Sequence, residues 1–333
     1  MDITIACATR VAFHLDSPKA EGLGGIETAS IEFAKSLAAR GHAVTLLTRT
    51  DQTRAAAGVK NMALEALPDL TGDVLIVASN AEWMRGSKHS RHVLWLHNHL
   101  ALNKAARRGQ IGPMLRHRPH AVFGSVAAER ACSRLYPFVS RHIIPLGVSA
   151  EFLSSRLDAP RSLRFVWASN PRGELKPTVQ AWLRAHAQIP TGASFDLFGV
   201  DEGSLGLSPA QAGKASIVLH PRLTKADLAR SYESAAAMVC PGSPGETFCL
   251  AAAEAQCAGL PVITLGTGAL AERVQHGVNG LVCRDMTELA DAVVALARDA
   301  ELLGLLREGA QRMRPVMGWD RVAKLWESFL TRL

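Results

Sequence analysis

Two glutamates, Glu246 and Glu254, stand eight residues apart in CPGSPGETFCLAAAEAQCAGLPVITL, residues 240–265. The segment reads as a strand ending at Cys240, a Pro/Gly loop, and a helix that FCLAAA begins and AGLP ends. At about 1.5 Å per helical residue, such a spacing spans roughly 12 Å. That length suits a nucleotide sugar, with hydroxyl-binding carboxylates at both ends and phosphates between them. The backbone N–H groups of Phe248, Cys249 and Leu250, at the helix start, lack intrahelical partners and suit a diphosphate. A plainer reading of the same two residues is a first-turn Glu favoured by the helix dipole and a solvent-facing Glu.

Three further segments carry candidate chemistry. In EGLGGIETASIEFAKSLAARGHAVTLLT (21–48), Gly24 and Gly25 allow backbone amides to approach an anion with no Cβ in the way. The alternative there is a flexible turn between strand and helix. A dinucleotide loop fits poorly, because GLGG is not G-x-G-x-x-G and Leu15–Glu21 inserts a polar loop after the strand. In ASNPRGELKPTVQAW (168–182), Arg172 and Lys176 are two cations placed just after a strand. Cations near a diphosphate stabilise the negative charge that grows on it as a bond to it breaks. In HVLWLHNHL (92–100), His97 ends a strand; His97 and His99 lack the third ligand a metal site needs.

These candidates need a scaffold, and the chain supplies a repeated alternation. Strands are expected at 2–8, 42–48, 73–79, 92–97, 121–125 and 142–146, with a helix over 26–41. The series restarts with strands at 163–169, 194–199, 216–220, 237–242, 261–266 and 280–283, and helices near 176–188, 226–235, 248–258 and 286–298. The expected fold is therefore α/β, with two doubly wound Rossmann-like domains of parallel strands. The break falls in the Pro/Gly/Ser-rich stretch 145–162. Domains are expected at 1–150 and 151–315, with 316–333 as a final helix. Ligands in such folds bind at the carboxyl ends of the strands, and two such sheets facing each other make a cleft.

At 333 residues, with 48% hydrophobic and 20% charged, the chain is long enough for two cores and too apolar to be disordered. No apolar run approaches the roughly 18–20 residues of a membrane span, and MDITIACATRV reads as a first strand rather than a leader, which predicts a cytoplasmic protein. Six scattered cysteines without a C-x-x-C pair predict buried thiols. The net charge of +7 belongs wholly to residues 1–150, with 18 basic against 11 acidic residues, while 151–333 balances at 19 and 19. A basic half favours an anionic partner or serves solubility. The cluster Lys104, Arg107, Arg108, Arg116 and Arg118 lies in that half, where it suits an anionic membrane surface or forms a solvated helix face. No nucleic-acid-binding motif accompanies it.

Taken together, GETFCLAAAEAQCAGLPVI and GALAERVQHGVNGLV (268–282) resemble the E-x7-E region of the retaining glycosyltransferases of family 4, which have the GT-B fold. The other three segments, HIIPLGVSAEF (142–152), VLHPRLTKADLARSYESA (218–235) and WDRVAKLWESFL (319–330) extend the resemblance over nearly the whole chain. It implies a metal-independent, hexosyltransferase-like retaining enzyme that moves a sugar from a nucleotide-diphosphate sugar, UDP mildly preferred over GDP, to a glycan or lipid-linked acceptor. The implied setting is cell-surface polysaccharide, lipopolysaccharide or glycolipid synthesis, at the inner face of a membrane. Glu246 and His97 would approach the donor sugar, Glu254 the ribose, and Arg172 and Lys176 the departing diphosphate. Gly24, Gly25, Thr247, Phe248, Cys249 and Leu250 would line the donor, and Arg222 the base. The final helix would pack back on the first domain. Cys249 stands where the family most often has Gly, and the cation spacing is one residue shorter than the usual R-x4-K. The chain lacks D-x-D, the metal–diphosphate motif of the other main glycosyltransferase fold. Retention by front-face attack, with a donor phosphate oxygen taking the acceptor proton, requires no dedicated base. The rivals are another GT-B enzyme, a sugar phosphorylase or nucleotide-sugar epimerase, and a non-catalytic GT-B binding module.

Overall fold

The computed structural model describes residues 1–20, 22–159, 162–169 and 173–333; Arg172 lies outside the described residues. The chain forms two compact units, Met1–Gly147 with Trp319–Leu333, and Val148–Gly318.

The first unit holds strands β1 (Asp2–Ala6), β2 (Ala43–Thr48), β3 (Arg54–Ala56), β4 (Val59–Ala63), β5 (Val74–Ala78), β6 (Arg91–Leu96), β7 (His120–Phe123) and β8 (Arg141–Ile143). Their order is β3-β4-β2-β1-β5-β6-β7-β8, parallel throughout except for the β3–β4 hairpin at one edge. The central strands are continuous apolar runs because helices cover both faces; VLIVA of β5 is buried at all five positions. Helix Gly25–Ala39 buries Ile31, Phe33, Ala34 and Leu37. Phe33 packs edge-on against Trp95 (centroids 5.0 Å apart) and on Trp326 (4.7 Å) of the final helix, Trp319–Leu330. That helix is also tied down by charge: Arg40 Nε donates to Glu327 (2.6 Å), and His42 Nε2 lies 2.9 Å from the same carboxylate. Gly147 permits the approach, since a Cβ there would sit 2.5 Å from the Trp319 ring.

The second unit holds β9 (Arg164–Trp167), β10 (Ser194–Phe198), β11 (Ile217–His220), β12 (Ala237–Val239), β13 (Val262–Thr264) and β14 (Gly280–Val282). They form one wholly parallel sheet ordered β11-β10-β9-β12-β13-β14. Its core is built on Phe165, Trp167, Trp182, Phe195 and Leu197, with helices Leu175–His186 and Met286–Arg298 packed together. In both sheets chain order runs outward one way and then restarts on the other side. The switch points lie between β1 and β5 and between β9 and β12, where the carboxyl ends of the strands leave room for a ligand.

Candidate functional site

The two strands flanking the second switch point lead directly into two candidate segments. β9 runs out into 168–176, and β12 into the loop 240–249. That loop is firmly seated. The Glu246 carbonyl accepts from the Ala269 amide (3.0 Å), and the Pro241 carbonyl accepts from the Thr264 hydroxyl (3.1 Å). Gly268 makes the close approach possible: a Cβ there would lie 2.7 Å from the carbonyls of Ser243 and Glu246.

Helix Leu250–Cys257 starts from this loop. Cys249, its N-cap, adopts φ 60° and ψ 72°, the left-handed conformation that glycine takes without cost. The Cys249 amide, expected to be open to a diphosphate, donates instead to Glu246 Oε1 at 2.9 Å. The carboxylate thus meets one of the orphan N–H groups of its own helix, where the dipole favours negative charge. No partner is seen for the amides of Phe248 and Leu250 among the described residues. Thr247 is half-buried beside them.

Glu254 is not solvent-facing: it is 2% exposed, and Lys225 Nζ lies 2.5 Å from its Oε1. The plainer sequence reading of Glu254 is thereby overturned. Burial pushes the Glu254 carboxyl above the ordinary carboxylate range, while Lys225 pulls it down and Glu151 adds to the rise. Lys225 opens helix Lys225–Glu233, and its ammonium also sits 5.7 Å from the Phe152 ring centroid. Sequence reasoning missed Lys225. It missed Arg273 too, whose guanidinium lies 4.2 Å over the Phe248 ring and donates to the Phe248 carbonyl (3.2 Å). Burial lowers the Arg273 pKa, with the thiols of Cys249 and Cys257 and the carboxyl of Glu246 acting against it.

Lys176 is exposed in the first turn of helix Leu175–His186, its methylenes 3.7 Å from where a Cβ on Gly206 would lie. Arg222 is exposed just beyond β11, its Cβ 3.5 Å from where one on Gly199 would lie, so it stands at the ends of β10 and β11.

In the first unit, Gly24 is the N-cap of helix Gly25–Ala39. The anion cradle expected of Gly24 and Gly25 is filled by the chain itself: the buried carboxylate of Glu27 folds back over Gly24, where a Cβ would collide with it. A carboxylate in that place repels a second anion. His97 follows β6; its amide donates to Ser79 Oγ (3.0 Å) and its ring lies 4.2 Å from that of Trp95. Burial pushes its pKa down to about 3, so His97 is a neutral imidazole. Ser79, directly after β5, holds φ 61°, a positive value that non-glycine residues rarely take. His99 is exposed, as are Lys104, Arg107, Arg108, Arg116 and Arg118.

All six cysteines are free and buried, with the Cys240 and Cys249 sulfurs 3.7 Å apart. Among the described residues no group of three or more His, Cys, Asp or Glu is arranged to hold a metal ion. No described helix is long and apolar enough to cross a membrane.

Residues 167–299, which run from the end of β9 through β14 and contain both glutamates, match the family model of glycosyl transferases group 1. A D-inositol 3-phosphate glycosyltransferase of Catenulispora acidiphila is 29% identical over 191 residues, 56% of this chain and 40% of that protein. Another, from Thermobispora bispora, is 34% identical over 37% of this chain and 30% of its own length. The chain thus spans well under half the length of these curated relatives. Among solved structures, Anabaena HepE in complex with UDP-glucose superposes with a TM-score of 0.74 at 15% identity, over 100% of both chains. WaaG, a glycosyltransferase involved in lipopolysaccharide biosynthesis, does so with 0.71 at 14%, over 99% of each. At these identities the likeness shows the fold: two parallel-sheet α/β units of the kind found in GT-B glycosyltransferases.

Proposed function

We propose that the chain is a retaining glycosyltransferase whose second unit binds a nucleotide-diphosphate sugar. The carrying observation is that Glu246 and Glu254 bracket the start of one helix at the β9/β12 switch point, inside the segment that matches the glycosyl transferases group 1 model. In this reading Glu254 accepts the ribose hydroxyls, the amides of Phe248 and Leu250 meet the diphosphate, and Arg222 borders the base. Glu246, once the diphosphate competes for the Cys249 amide, turns its carboxylate to the donor sugar. Lys176, with Arg172, neutralises the leaving diphosphate, which makes the transfer metal-independent. A donor phosphate oxygen takes the acceptor proton in a front-face attack.

UDP is favoured as the carrier, in keeping with HepE, which was solved with UDP, UDP-glucose and UDP plus glucose. The acceptor is assigned to the first unit, which carries the chain's excess of positive charge. A glycan or lipid-linked acceptor fits the WaaG likeness, and the exposed basic segment 104–118 suits an anionic acceptor or membrane. The test is a thermal-shift screen with UDP, GDP, ADP and TDP. A nucleotide at 100 times its Kd raises stability by about 2.7 kcal/mol. The absence of any shift with all four at millimolar concentration would sink the reading.

A further inference from the structure

We infer that Lys225 is a positioning residue of the nucleotide site: it holds the buried Glu254 as a carboxylate, so that the Lys225–Glu254 pair, rather than Glu254 alone, reads the ribose. The inference rests on the donor site proposed above. Its first support is placement. Lys225 is the first residue of helix Lys225–Glu233, whose N-terminus is already capped by the Thr224 side chain accepting from the Asp227 amide. A cation in a first turn is opposed by the helix dipole, so local helix formation does not call for a lysine there. What it gains is 29 residues away in sequence, the Glu254 carboxylate. Both side chains are withdrawn from water, Glu254 to 2% and Lys225 to 18% exposure.

Burial of a lone carboxylate favours its protonated form. Few charges oppose that here. Lys225 is the one cation acting on Glu254 among the described residues, and Glu151 of helix Ala150–Leu153 works against it. Tyr232, from the lysine's own helix, is a buried neutral phenol, and Cys257, one turn along from Glu254, is a buried neutral thiol. Strands β12 and β13, packed beneath the helix, carry no titratable side chain. Helix Ala300–Gln311 packs against it too and bears Glu301, Arg307 and Glu308, none of which acts on Glu254. Without Lys225, burial and the Glu151 charge both favour the protonated form of Glu254, and nothing that lowers its pKa remains among the causes acting on it. A vicinal diol needs an acceptor with two free oxygen lone-pair sites, and a protonated carboxyl offers fewer.

The experiment is calorimetric titration of the full chain with UDP and with 2′-deoxy-UDP between pH 6.5 and 9. It compares wild type, Lys225→Met, Lys225→Arg and Glu254→Gln; GDP and its deoxy form replace the pair if UDP alone fails to bind. Wild type and Lys225→Arg should bind with little change from pH 7 to 9 and prefer the ribose ligand. Lys225→Met should lose about tenfold in affinity per pH unit below the new Glu254 pKa, recover toward wild type at pH 9, and lose its ribose preference only where affinity is lost. Glu254→Gln should be weak at every pH. An equal loss for Lys225→Met across the whole range, or a Lys225→Arg profile that copies it, overturns the inference while leaving the donor site standing. If Lys225→Met does not fold, unchanged affinity and ribose preference in Lys225→Arg at pH 7 supports the pair, and a loss there overturns it. If no nucleoside diphosphate binds wild type, the donor site and the inference fall together.

Discussion

Replacing Glu246 separates its two roles. Its carboxylate accepts a hydrogen bond from the Cys249 amide at 2.9 Å, at the start of helix Leu250–Cys257. A side-chain cap of this kind contributes about 1 kcal/mol, and the helix dipole adds a few tenths for a half-exposed charge. Glu246→Ala should therefore cost about 1 kcal/mol, a fall of roughly 2–4 °C in the melting of a unit this size. Glu246→Gln keeps an acceptor and should lose about half of that. Both should retain native circular dichroism. Turnover is a different matter. If the carboxylate stabilises charge on the transferring sugar, Glu246→Ala should lower kcat on the order of 10²–10³-fold. The Ala variant also frees the Cys249 amide, so UDP alone should bind it as well as wild type or better, while UDP-glucose should gain nothing over UDP. The assays are differential scanning calorimetry, donor hydrolysis and paired titrations with UDP and UDP-glucose. Wild-type turnover in Glu246→Ala would refute the catalytic assignment. A loss of 3 kcal/mol or more, with donor binding lost only in proportion to unfolded protein, would make Glu246 a structural cap alone.

Four other outcomes follow from the same geometry. Cys249→Gly should melt within about 1 kcal/mol of wild type, since relief of the left-handed backbone offsets the lost thiol packing, whereas Cys249→Val should cost about 2 kcal/mol; equal losses in thermal melts would contradict the φ of 60°. Activity should persist in EDTA and fall in Lys176→Ala and Arg172→Ala; loss in EDTA restored by manganese would reject protein cations as the charge carriers. The first unit should lose stability as pH falls: burial lowers His92 to about 4, so between pH 6.5 and that value only the unfolded chain takes up the proton, and folding weakens by on the order of 2 kcal/mol. His92→Phe should reduce that dependence in melts at pH 7 and pH 5 by its own share, the other buried histidines, His97 first among them, keeping the rest; an unchanged slope would reject it. Co-sedimentation with anionic vesicles should weaken when Arg107, Arg108, Arg116 and Arg118 become Gln, and equal binding of both proteins would remove the membrane from the acceptor reading.

Most of the scaffold is legible from apolar runs because parallel strands covered on both faces have no polar side to obscure them. β1, β2, β5, β6, β9 and β10 lie inside the segments that periodicity predicts, or within one residue of them. The β3–β4 hairpin is not legible. It is a short edge strand of three residues, its turn is Ala57–Gly58 rather than Asn-Gly or Asp-Gly, and both turn residues take positive φ. The basic stretch 104–118, weighed as one solvated helix face, is two short helices, Leu102–Arg107 and Ile111–His117, and helix Ala300–Gln311 escapes the pattern. The first two are too short for periodicity, and the third follows Met286–Arg298 with only Asp299 between, which ends one helix and caps the next.

At the site, spacing reveals which residues share a helix but not what each of them meets. Glu246 and Glu254 are visible as a pair eight residues apart, yet nothing local tells that one caps Cys249 and the other is buried against Lys225. The partners that sequence reasoning misses share a trait: each is a charge in a place that local physics disfavours. Lys225 opens a helix against its dipole, and Arg273 carries a guanidinium into the apolar face of Phe248. Such a residue is retained only if a tertiary partner offsets the local cost, and here both partners lie in or beside the segment 246–254. The left-handed Cys249 fits the same logic. A non-glycine at that conformation carries strain that a surface turn would shed, and it is held by the Glu246 carboxylate on its amide and by burial of its thiol against Cys240. Local misfit at Lys225, Cys249 and Arg273 therefore converges on the one loop and helix start that the spacing of the two glutamates already singles out.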